Sequence, residues 1–107
     1  MTLIDAFRAL PNDEGKLHKE LSDGGEAARL LSSDAFKSAV QKVRDAIYGV
    51  FAASPPDTSG DEARRNARLK LDLLNDILTD LRNTEGTGKM AEQQLGFIEK
   101  MKKKLAR

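Results

Sequence analysis

Apolar residues recur every three or four positions along most of this chain, the spacing that gathers them on one face of an α-helix. Phe36, Val40, Val43, Ile47 and Val50 step by 4, 3, 4 and 3, which predicts a helix over 34–53. Ser33 stands where an N-cap is needed, and Asp34 puts a negative charge in the first turn, where the helix dipole favours it. Pro55 and Pro56 cannot continue that helix, and Thr58, Ser59 and Gly60 favour a turn. Ala67, Leu71, Leu74, Leu78 and Leu81 repeat the spacing, with Leu73 and Ile77 widening the stripe, and predict a second helix over 60–83. Ser59 and Glu62 have the separation of a capping box at its start. Asn83-Thr84-Glu85-Gly86 reads as its end. Thr87 then caps a third helix over 88–106, carrying Ala91, Leu95, Ile98, Met101 and Leu105.

The first 32 residues are patterned more weakly. Thr2 suits the cap of a short helix over Leu3, Ile4 and Phe7, which stops at Leu10 because Pro11 disfavours helix in the residue before it. Asn12 opens another short piece through Leu17 and Leu21, and Gly24-Gly25 breaks the chain. Ala27, Ala28, Leu30 and Leu31 follow as an apolar patch. Pieces this short are not stable alone. Residues 1–32 are therefore expected as an arm of short helices that packs on something, either the chain's own bundle or a partner. Residues 33–107 are expected as a three-helix bundle: an antiparallel hairpin, 34–53 against 60–83, with 88–106 folded back on it. The fold class is all-α.

Composition narrows the picture further. Hydrophobic residues make up 39% and charged residues 33% of the 107 positions, too apolar for a disordered polyelectrolyte and too charged for a large interior. With five aromatic side chains the core must rest on Leu, Ile, Val, Ala and Met. Thin cores of this kind favour association with copies of the chain or with another protein. No cysteine is present, which excludes disulfides and thiolate metal sites. No apolar run approaches the roughly 20 residues a membrane span needs. The start of the chain lacks a basic leader and places Asp5 in its apolar stretch, so secretion by a signal peptide is not expected.

The residues that could carry chemistry point away from catalysis. His18 is the one histidine, flanked by Lys16, Lys19 and Glu20, and reads as a solvated side chain without companion ligands. Residues 84–90, TEGTGKM, lack the spacing of a phosphate loop, have Met90 in place of its hydroxyl residue and follow a helix instead of a strand. Asp72, Asp76 and Asp80 form a row along one helix, and a row is not a metal cage. No enzyme, cofactor or metal site is expected.

Charge placement is more informative than the net charge of +1. Were 88–106 to fold back on 60–83, Arg64, Arg65 and Arg68 would share one end of the bundle with Lys100, Lys102, Lys103, Lys104 and Arg107. Such a basic pole would suit an acidic protein surface or nucleic-acid phosphates, the latter weakly and without sequence preference. The plainer role of the lysines is to complement a helix C-terminus. Phe51, Met90, Phe97 and Met101 exceed what a three-helix seam needs and are candidates for an apolar partner surface.

From Leu30 to Leu95 the chain resembles a group of short helical proteins encoded in the structural and packaging gene clusters of tailed bacteriophages. The resemblance is carried by Leu30-Leu31, Ala35-Phe36 entering a helix, the Pro55-Pro56 turn, Glu62 followed by Arg64, the leucine-rich run Leu71 to Leu74, and Gly88-Lys89 with Ala91. Phe51 stands where the group is expected to have a tryptophan. The resemblance implies a non-enzymatic virion or assembly protein, found in the particle or the host cytoplasm, that docks on a portal, capsid or tail component. It leaves open a DNA-binding packaging accessory and a small inhibitor of a host enzyme or defence complex.

Overall fold

The computed structural model describes the backbone of residues 3–106 and the side chains of residues 14–106. The expected cap at Thr2, the packing of Leu3, Ile4 and Phe7, and Arg107 lie outside those described residues. Three helices follow one another: α1 (Leu3–Ser32), α2 (Asp34–Ala53) and α3 (Asp61–Leu105), with a single 3-10 turn at Thr58–Gly60 before α3. No strand occurs among the described residues, and the chain is all-α. It divides into two compact units, residues 1–29 with 82–107 and residues 30–81.

The unit formed by residues 30–81 is the expected hairpin. Ser33 leaves the helical region (φ −65°, ψ 129°) and its side chain accepts the Phe36 N–H, so α1 ends and α2 begins across this one residue. Ile47 on α2 and Ala67 and Leu78 on α3 are its buried apolar side chains. Val43, Ala46, Ile47 and Val50 line one groove together with Ala63, Asn66, Ala67 and Lys70, and the short turn between the two helices makes them antiparallel neighbours.

The turn between them is built on Asp57 and Arg64. The Ser54 N–H closes α2 on the Val50 carbonyl at 2.9 Å. Asp57, not Ser59, is the capping residue: its carboxylate accepts the Ser59 N–H at 3.0 Å and also the Ser59 hydroxyl. The capping box expected at Ser59 is therefore replaced by a turn one step earlier, because Ser59 is itself inside the 3-10 turn. Arg64 reaches back from α3 and donates to the carbonyls of Pro55 and Asp57, the latter at 2.8 Å, and to the Asp61 carboxylate at 2.5 Å. Replacing Arg64 with Ala is expected to lower the hairpin's stability by about 1 kcal/mol, the net worth of such bonds at a partly exposed site. Urea unfolding followed by circular dichroism reads that loss.

The Ser59 hydroxyl and then its N–H hold the Asp57 carboxyl below its ordinary value. A depressed carboxylate contributes stability above its unfolded pKa and loses it as pH falls through the lower folded value. The Ser59 amide resonance should therefore titrate at a pH below that of a free aspartate, and should cease to do so in Asp57→Asn.

In the other unit α1 lies along the C-terminal half of α3. Leu17 packs with Ala91 and Ile98, with Leu21 and Leu95 half-buried against them. Glu14 pairs with Lys102 at 2.6 Å, while Gly24 meets Gly88. Low numbers on α1 thus meet high numbers on α3, and the pair is antiparallel.

Two expectations fail in this unit. Residues 1–32 are not a set of short helices: α1 is continuous through Pro11 and Gly24-Gly25, and its residues up to 29 group with residues 82–107. The break at 83–88 does not occur either, so 60–83 and 88–106 are parts of one 45-residue helix. At the glycines the physical reason is shared. A glycine costs a helix about 1 kcal/mol relative to alanine, which packing can offset, whereas a turn needs a chain reversal that nothing here enforces. Gly24 and Gly88 are both buried and stand backbone to backbone: a β-carbon on either would come within 2.7 Å of the other's Cα. These glycines let two helices approach closely. They are not punctuation.

Candidate functional site

The expected basic pole is not formed. Because α3 is unbroken from Asp61 to Leu105, Arg64, Arg65 and Arg68 lie in its first turns and Lys100, Lys102, Lys103 and Lys104 in its last. The fold-back that would have gathered them required the turn at 83–88. Taken separately, the two groups have local work. Arg64 clamps the proline turn, while Arg65 and Arg68 are exposed. Lys102 pairs with Glu14 across the helices and Lys103 lies 3.9 Å from Glu99 one turn earlier. Lysines in a last turn also answer the partial negative charge of the helix C-terminus.

His18 is exposed beside a shallow hollow that Glu14, Leu95, Ile98, Glu99 and Lys102 also line. Asp72, Asp76 and Asp80 are all exposed on α3. Among the described residues no group of three or more His, Cys, Asp or Glu side chains is placed to hold a metal ion. Residues 84–90 are helical, with Lys89 paired to Glu85 at 3.3 Å. No helix among the described residues is long and apolar enough to cross a membrane.

The apolar candidates divide by exposure. Met90 and Phe97 are open to solvent, at 62% and 65%. They are seven residues apart, hence on one side of α3. Met101, four residues on, is half-buried, as is Phe51. Met90, Phe97 and Met101 thus make a stripe along the C-terminal half of α3, in the i, i+7 spacing by which a helix offers anchors to a groove.

A second surface, in the hairpin unit, went unread in the sequence. Val43, Ala46 and Val50 from α2 and Ala63, Asn66 and Lys70 from α3 border an open groove of about 440 Å³, floored by Ile47 and Ala67. Leu73 and Ile77, further along α3, are exposed as well. The available signal was the 4-3-4 spacing of Ala39, Val43, Ala46 and Val50, a second stripe beside the one that meets α3.

In comparisons with known proteins, no family model matches the chain, and neither a curated protein nor a solved structure is similar to it.

Proposed function

We propose that this chain is a non-enzymatic structural or assembly component of a phage particle, one that docks on a portal, capsid or tail protein by helix packing. The observation that carries the docking role is the exposure of Met90 and Phe97 on one side of the C-terminal half of α3. Large apolar side chains in register on an exposed helix face are what a partner's groove takes up. The phage context is supported by the resemblance over residues 30–95. The DNA-binding alternative drew on the gathered basic pole and has lost that support.

Mass spectrometry of particles purified from the producing host tests this reading. The protein is expected in the particles, and Met90→Ser combined with Phe97→Ser should remove it from them while leaving its helicity intact. A protein abundant in the lysate but missing from particles would overturn the proposal and favour the inhibitor role. Undiminished incorporation of the double variant would overturn the assignment of the docking stripe.

A further inference from the structure

We propose that the groove entered by Met90 and Phe97 is rimmed by carboxylates, so that this chain recognises an acidic surface on another protein. The proposal rests on the docking role of those two side chains and adds the chemistry of the partner.

Charge divides around the C-terminal half of α3. Its acidic residues are Glu85, Glu92 and Glu99, spaced by seven. Glu92 follows Met90 by two positions and Glu99 follows Phe97 by two, and two residues turn an α-helix by about 200°. The glutamates therefore stand on the far side of the helix from the two anchors. There they border the seam with α1: Glu85 and Glu92 line a hollow with Gly25 and Ala28, and Glu99 lines another with Glu14 and His18. Two of them are answered within the helix, Glu85 by Lys89 at 3.3 Å and Glu99 by Lys103 at 3.9 Å.

The line of the anchors carries no acid. Met90, Gln93, Phe97, Lys100 and Lys104 follow one another in steps of 3, 4, 3 and 4, and all five are exposed. Lys102 and Lys103 are engaged with Glu14 and Glu99, whereas neither Lys100 nor Lys104 has a salt bridge among the described residues. Lys100 also precedes the last turn of α3, so the helix dipole does not account for it. Two apolar anchors continued along one line by two unpaired cations complement a groove with an apolar floor and carboxylates at its edge. The lysine stems lie against such an edge while their ammonium groups reach the charges.

An anionic membrane would attract the same lysines, but it takes up a continuous apolar face, and Gln93 and Gln94 interrupt this one between Met90 and Phe97. Nucleic-acid phosphates would leave both anchors without a desolvated pocket. A protein groove satisfies the anchors and the cations together.

Two synthetic helical peptides serve as probes, alike in a leucine stripe at every third or fourth residue and differing in its flanks, glutamate in one and lysine in the other. Titrated into the isotope-labelled full chain, the glutamate peptide is expected to shift the amide resonances from Met90 to Lys104. Its affinity should fall about tenfold between about 50 and about 300 mM salt. The lysine peptide should leave those resonances in place. Lys100→Glu with Lys104→Glu should reverse the preference with helical circular dichroism retained, since both positions are exposed. Equal binding of the two peptides, binding of neither, or an unchanged preference after charge reversal would overturn the acidic rim and leave the docking role of Met90 and Phe97 to the particle experiment. Larger shifts from phosphatidylglycerol vesicles or from duplex DNA than from the glutamate peptide would overturn the protein partner. Full-strength binding of the glutamate peptide to Met90→Ser with Phe97→Ser would instead overturn the docking stripe itself.

Discussion

Gly88→Ala and Gly86→Ala, two residues apart on α3, are expected to move stability in opposite directions. At Gly86 a β-carbon would meet nothing within 4 Å. Alanine there should stabilise the protein by about 1 kcal/mol, the propensity difference for an exposed helix interior. At Gly88 the added carbon would fall 2.7 Å from the Gly24 Cα and 3.0 Å from the Glu20 carbonyl oxygen. Those are backbone atoms, which cannot swing aside as a side-chain tip can. The helices must separate, exposing Leu17, Leu21, Ala91 and Leu95 along the seam. The net loss is expected at about 2 kcal/mol or more, the overpacking cost exceeding the propensity gain. Urea denaturation monitored at the helical band reads both. Equal small gains from the two substitutions would mean that α1 and α3 do not meet at these glycines.

Leu78→Asp has the larger expected effect. Leu78 is 5% exposed and is one of three buried apolar side chains in its unit. An unpaired carboxylate at such a site costs about 3–5 kcal/mol. A chain of this size has on the order of 5–15 kcal/mol to lose. Residues 30–81 should therefore lose much of their helicity at neutral pH. Burial raises the pKa of the introduced carboxyl, so part of the helicity should return on acidification, when the neutral acid is the buried form. Leu74→Asp, at a half-buried position one turn earlier, should cost less. Native dichroism of Leu78→Asp at pH 7 would refute the packing of this hairpin.

The apolar stripes of α2 and α3, the cap at Ser33 and the proline turn were readable from sequence because each depends on neighbours within one or two turns. The glycines were not. Gly24-Gly25 and Gly86-Thr87-Gly88 look the same in a one-dimensional reading whether they end a helix or let another helix approach. Only the far partner distinguishes the two, and Gly24 and Gly88 are each other's partner. From that ambiguity came the supposed fold-back and, together with Pro11, the supposed arm, and from the fold-back came the basic pole. Val43 and Val50 illustrate a second limit. Their spacing with Phe36, Val40 and Ile47 placed them in the seam, yet they are exposed, because a wide apolar stripe does not say which of its flanks faces the neighbouring helix. Arg64 is a third case. Its role as a turn clamp depends on the carbonyls of Pro55 and Asp57, which the sequence places nearby without showing their direction.

Nuclear Overhauser contacts and backbone chemical shifts across residues 83–88 test the continuous helix and its pairing together. Helical shifts from Asn83 to Gly88, accompanied by a direct contact between the α-protons of Gly24 and those of Gly88, are the predicted result. Coil shifts at 84–87, with contacts from Lys102 to Arg68 in place of Glu14, would contradict it.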